Sequence, residues 1–101
     1  IVVIASWPDG RIAHWHTLLQ ARAIENQCFI LGVNRTGHGN GLSYTASSAA
    51  YAPTGELLTP AAPADAGTLY ADLDLSDVAR YRESFPLKAD RRESLYQTFY
   101  H

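Results

Sequence analysis

Cys28, the Arg22/Glu25 pair and four histidines are the residues of this chain whose types could do chemistry. A thiol becomes a nucleophile when a base stands within hydrogen-bond reach and the setting is electropositive and partly open. Glu25 lies three residues before Cys28 in ENQC, but the pattern changes there from helix to strand, so the two side chains leave in different directions. The neighbours Gln27, Phe29 and Ile30 supply neither a base nor positive charge. Free cysteine is also among the residue types most often buried, and Cys28 is expected to be small apolar filler. His14 and His16 are two apart on a predicted helix and do not face one ligand, and no cysteine or carboxylate completes a metal-ligand spacing with them. His38 stands among three glycines between Gly37 and Gly41, a run that could cradle an anion. Its spacing is not that of a phosphate loop, and no helix opening with Lys-Ser or Lys-Thr follows. His101 closes the chain. No self-contained catalytic set emerges.

The elements that must hold these residues come from composition and periodicity. The chain has 101 residues, 47% of them hydrophobic and 18% charged, which suits one modest domain with a buried core and argues against disorder. A formal charge of -2, with no basic block or aromatic ladder, argues against nucleic acid as a partner. No apolar run approaches the roughly 20 residues of a bilayer span, so no membrane partner is expected. A lone cysteine forms no internal disulfide, which fits a reducing compartment; a cytoplasmic location is the expectation. The chain has no methionine and opens on IVVIASWP. That opening is expected to belong to a longer chain, because a buried strand needs neighbours on both sides.

Ile1 to Ala5 is a continuous apolar run, predicting a central parallel strand covered on both faces. Ser6 to Gly10 is predicted to be a loop, at the kind of strand end where α/β folds meet ligands. Trp7 there could be a core plug or a pocket wall, and both readings stay open. Arg11 to Gln27 predicts a helix, with Ile12, Trp15, Leu19 and Ala23 along its apolar face. Arg22 and Glu25 flank that stripe and are expected to join a partly buried network. Cys28 to Val33 predicts a second strand, leaving through Asn34 and Arg35 into a glycine-rich loop. Leu42 to Ala52 predicts a strand, Pro53 to Glu56 a turn, and Leu57-Leu58 the return of a hairpin. Residues 59 to 67 predict a loop or a bulge-rich edge. Thr68 to Asp74 alternates as a half-buried strand does. Ser76 is expected to cap a short helix ending at Phe85-Pro86. The tail from Leu87 carries Leu95, Tyr96, Phe99 and Tyr100 as anchors for its own sheet or a partner subunit.

The run SWPDGRIAHWHTLLQARAIENQCFILGVNRTGHGNGLSY, then PTGE, then RESFPLKADRRESLY, resembles the C-terminal half of nitrilase-superfamily (carbon–nitrogen hydrolase) proteins, and within them the ω-amidase-like branch. The likeness covers nearly the whole chain. It implies an α/β fold, the α-β-β-α sandwich of that family, with residues 1–101 forming the C-terminal part of a single domain and 86–101 a tail on the sandwich or on a partner. It implies cleavage of a small carboxamide by a glutamate base, a lysine that stabilises the tetrahedral intermediate and a cysteine that forms a thioester, without metal or organic cofactor. All three catalytic residues would precede Ile1, and Cys28 does not match the family's nucleophile. The resemblance places Trp7, Pro8, Asn34 and Arg35 at the substrate pocket. It assigns Arg22, Glu25, Asn26 and Ser48 to the framework, the first three tying helix to sheet. Ala46 departs from the family's usual glycine, and the loop around His38 is altered. The family pairs across a twofold axis, so the partners implied are the N-terminal half of the domain, a second copy in a homodimer and the amide substrate. The alternatives are a non-catalytic truncated or pseudoenzyme module that mediates association, and an independent small α/β binding domain.

Overall fold

A computed structural model describes residues 1–60 and 67–100. The order of elements is β1 (Val2–Ala5), α1 (Ile12–Asn26), β2 (Ile30–Asn34), β3 (Gly37–Gly39), β4 (Leu42–Tyr44), β5 (Ala49–Tyr51), α2 (Ser76–Ser84) and α3 (Glu93–Phe99), with short 3-10 turns before α1 and before α3. β1 and β2 run parallel, from Val2 opposite Leu31 to Ala5 opposite Asn34, with α1 as the crossover between them. β5 pairs antiparallel with the other edge of β2, giving the sheet order β1-β2-β5.

The predicted stripe of α1 is the one that packs. Trp15, Leu19 and Ala23 are buried at four-residue spacing against Ile30, Ala49 and Tyr51. Gly32 lets helix and sheet close up. A Cβ there would stand 2.8 Å from the Trp15 ring and nearer still to Leu19. The helix ends at Gln27, which adopts the left-handed conformation (φ 48°). Cys28 is half-buried and packs against the core as apolar filler.

Several expectations are corrected. β1 is an edge strand among the described residues, and its outward residues Val2 and Ile4 are 62% and 80% exposed, because α1 covers one face of the sheet only. The glycine-rich segment is a β3–β4 hairpin, not a loop. Asn40 and Gly41 form its two-residue turn, both at positive φ (50° and 76°), as Asn-Gly favours between right-twisting strands. The single strand expected from Leu42 to Ala52 is two strands, because the groups between them bond elsewhere. Thr45 N–H donates to the Asp9 carboxylate (2.8 Å), and Ser47 C=O accepts the Trp15 indole N–H (2.8 Å). The return through Leu57 is a single antiparallel bridge to Tyr51.

Thr68 to Asp74 has the predicted alternation, Leu69, Ala71 and Leu73 half-buried and Tyr70, Asp72 and Asp74 exposed, but it forms no ladder among the described residues. Ser76 is the first residue of α2, not its cap. The cap position falls on Leu75, and the Asp74 carboxylate before it accepts from Ser76 N–H (3.0 Å) and Ser76 Oγ–H (2.6 Å); these bonds hold Asp74 below the usual carboxylate range. α2 stops at Ser84 as predicted. In the tail, α3 buries no residue, and Phe99 and Tyr100 are 76% and 88% exposed, so the anchors do not lie on this chain's own sheet. Most of the loop expected between 59 and 67, together with His101, lies outside the described residues. No helix of the described residues is long and apolar enough to cross a membrane.

Candidate functional site

Parallel pairing brings the C-terminal ends of β1 and β2 side by side, and the chain leaves both at one edge of the sheet. Trp7 and Pro8 follow β1; Asn34 ends β2, and Arg35 follows it. One amide side chain joins these exits. Asn34 Oδ1 accepts the Trp7 backbone N–H (2.7 Å), and Asn34 Nδ2 donates to the Trp7 carbonyl (2.9 Å) and to Ser47 Oγ (2.9 Å). The carboxamide therefore pairs with the Trp7 backbone as a neighbouring strand would. The Asn34 backbone N–H donates to Ser48 Oγ (2.9 Å), and Arg35 N–H donates to the Ala5 carbonyl (3.2 Å). Asn34 is 8% exposed, so each of these bonds satisfies a group that water barely reaches.

The Trp7 ring lies 5.6 Å from that of Trp15, tilted by 38°, and its indole N–H donates to the Arg11 carbonyl (2.6 Å). It plugs the end of the core. Pro8, the next residue, is buried. Asp9 tethers the opposite loop through Thr45, accepting from both its N–H and its Oγ–H.

Arg35 is the outward member of this group. Its guanidinium lies over the Tyr44 ring (4.4 Å to the centroid), with Nε–H directed to the Thr36 carbonyl (3.3 Å) and an Nη2–H to the His38 carbonyl (3.5 Å). It borders a cavity of about 640 Å³ on the sheet face away from α1, between β2 and the segment 67–73, which Ser48 also lines.

The structure thus brings Trp7, Pro8, Asn34, Arg35 and Ser48 together, and leaves Arg22, Glu25 and Asn26 apart from them. Arg22 and Glu25 form an exposed i,i+3 pair (2.7 Å, each side chain 55% exposed) in place of the partly buried network. Asn26 Nδ2 donates back to the Arg22 carbonyl within the helix (2.9 Å). The ties from this helix end are made by other residues and reach α2 rather than the sheet. Gln27 Nε2 donates to the Phe85 carbonyl (2.7 Å), and Arg82 donates to the carbonyls of Asn26 and Gln27.

Sequence reasoning missed Asp9, Tyr44, Ser47 and Gln27. Asp9 was legible only as a turn former in Pro-Asp-Gly, and the adjacent serines in TASSAA were the one sign that this stretch holds itself by side chains. Among the described residues, no group of three or more His, Cys, Asp or Glu could hold a metal ion.

A family model described as carbon-nitrogen hydrolase matches residues 5–83. The omega-amidase YafV of Escherichia coli (strain K12) is 42% identical over 91 residues, 89% of this chain and 36% of that protein. The 2-oxoglutaramate amidase of Bacillus subtilis is 38% identical over 96 residues, 95% of this chain and 37% of that protein. Among solved structures, the CN-hydrolase superfamily protein XC1258 of Xanthomonas campestris superposes with a TM-score of 0.76 at 34% identity, covering 90% of this chain and 35% of that one. The Caenorhabditis elegans NitFhit protein gives 0.78 at 35% identity, over 94% of this chain and 24% of that one. The chain spans roughly a third of the length of the curated relatives it matches.

Proposed function

The chain belongs to the carbon–nitrogen hydrolase family, and from that premise we propose that it is the C-terminal part of an amide hydrolase that cleaves a small carboxamide. The observation that carries this reading is the fixed edge of the sheet: two adjacent parallel strand exits locked by Asn34, with Trp7 on one and Arg35 on the other. In this role the segment supplies pocket wall, and the glutamate, lysine and cysteine of the reaction stand upstream of Ile1. The glutamate takes the thiol proton, and the thiolate attacks the amide carbonyl carbon. The lysine stabilises the oxyanion, and the C–N bond breaks as the leaving nitrogen takes a proton and departs as ammonia. Water then cleaves the thioester, returning a carboxylic acid and the free thiol.

Asn34 acts in this scheme as a positioning residue. Its amide is engaged with Trp7 and Ser47, so it sets where Trp7 stands and does not itself meet the substrate. A cytoplasmic location and a homodimer belong to the same proposal. The exposed Leu95, Tyr96, Phe99 and Tyr100 of the tail favour a covering partner surface.

The test begins with the intact mass under denaturing conditions. A mass more than twice 11.1 kDa, with Glu, Lys and Cys upstream in that order and ammonia released from a small carboxamide, is the expected result. A mass near 11.1 kDa would sink the enzymatic reading for this polypeptide and leave the association module.

A further inference from the structure

We propose that Asn40-Gly41, the turn of the β3–β4 hairpin, is a modification site: Asn40 deamidates there through a cyclic imide, and the isoaspartyl product disorders the hairpin on which Arg35 is seated. This goes beyond the amide-hydrolase reading and does not depend on it. The chain has asparagines at 26, 34 and 40, and the fold treats them differently. The Asn26 amide donates to the Arg22 carbonyl within α1, and the buried Asn34 amide makes three hydrogen bonds. Asn40 is exposed and is the one asparagine followed by glycine. Among the described residues, neither its side chain nor the Gly41 N–H makes a hydrogen bond. The chain's other acid-glycine pair, Asp9-Gly10, is tied down, its carboxylate accepting from both N–H and Oγ–H of Thr45.

The step needs no reactant but water. The Gly41 amide nitrogen loses its proton and attacks Asn40 Cγ. The new N–Cγ bond closes a five-membered imide, and the Cγ–Nδ2 bond breaks as Nδ2 takes up a proton and leaves as ammonia. Water then opens the imide at either carbonyl. One opening leaves aspartate; the other carries the main chain through Cβ and Cγ, as isoaspartate. Glycine favours the attack because no side chain shields its nitrogen, and even a Cβ built on Gly41 would meet no heavy atom within 4 Å. The hairpin is also a two-stranded sheet of its own with three residues per strand, and such short ribbons open locally. Opening frees Asn40 and Gly41 from their turn conformation (φ 50° and 76°) and lets Cγ reach the Gly41 nitrogen.

Isoaspartate inserts a methylene carbon into a turn whose length fixes the register of both strands. His38 stands opposite Ser43, with Nδ1 and Oγ 3.1 Å apart, and that pairing is lost. The His38 carbonyl that accepts from Arg35 and the Tyr44 ring under its guanidinium move with it.

The experiment incubates the intact full-length protein at neutral and at mildly acidic pH, maps its peptides by mass, and follows the hairpin amides by hydrogen exchange. Asn40→Gly and freshly prepared Asn40→Asp are run beside it; Gly-Gly and Asp-Gly both suit this turn, so both variants keep the hairpin. The expected result is loss of the Asn40 amide ahead of those of Asn26 and Asn34, faster at neutral pH, with aspartate and isoaspartate both formed. Hairpin protection falls as isoaspartate accumulates, is retained in Asn40→Asp, and stays constant through the incubation in Asn40→Gly. An Asn40 amide that outlasts the other two, or aspartate formed without isoaspartate, overturns the site. Isoaspartate at residue 40 with hairpin protection unchanged overturns its effect on the seat of Arg35.

Discussion

Two polar clusters stand at opposite ends of the crossover unit, and they are built in opposite ways. At the strand exits, Asn34 is 8% exposed and its amide makes three hydrogen bonds to groups distant in sequence. At the end of α1, Arg22 and Glu25 pair across one helical turn with both side chains 55% exposed. The first cluster joins three chain segments; the second joins one helix to itself. Water decides the difference in worth. A buried amide that loses its partners leaves them without acceptors or donors, whereas a solvated ion pair that is broken finds water at once.

Asn34→Ala is the largest break of this comparison. It strands the Trp7 N–H and C=O together, and a loss of about 2–4 kcal/mol in denaturant unfolding of the intact protein is expected. An unchanged midpoint would mean the clasp is ornamental. Trp15→Phe isolates one strand of the same cluster, removing the indole donor to Ser47 while keeping an aromatic ring. It is expected to cost about 1–2 kcal/mol, read as a lowered Tm. Arg22→Ala probes the other cluster and is expected to change stability by no more than about 0.5 kcal/mol. A larger loss would mean that the helix end carries contacts beyond this pair.

The last prediction concerns His16, on the face of α1 between the two clusters, whose Nδ1 meets the Tyr51 hydroxyl at 3.1 Å. Burial holds the His16 pKa below its ordinary 6.5 and raises that of Tyr51. A depressed folded-state pKa means the unfolded chain takes up the proton first. The His16 contribution is therefore complete above about pH 6.5 and is lost as pH falls through the folded value. His16→Phe is expected to flatten the dependence of Tm on pH between 7 and 5, measured by scanning calorimetry. An unaltered slope would locate that pH dependence elsewhere.

The helical stripe of Trp15, Leu19 and Ala23 and the β-rich run through Ile30 were legible because local periodicity alone writes them, and the stop at Phe85-Pro86 because proline forbids the continuation. The turn at Asn40-Gly41 was written just as locally, but its three glycines read more easily as loop than as hairpin. Thr68 to Asp74 shows the limit of such patterns. Its alternation correctly divides half-buried from exposed residues, but alternation does not supply a ladder partner. At the site, the resemblance named Trp7, Pro8, Asn34 and Arg35 for the pocket and Ser48 for the framework, and the fold places all five at one end of the sheet.

The sequence by itself determined the buried stripe of α1 and where α1 and α2 stop. Each of those follows from neighbours within a turn or two of the chain. Tertiary structure alone decided that Asn34 faces inward on Trp7 and Ser47 while Arg35, one residue later, faces outward over Tyr44. The physical reason is the two-residue repeat of a strand. Adjacent side chains must take opposite sides, but which side is buried depends on the parallel register with β1, which sets Ala5 opposite Asn34.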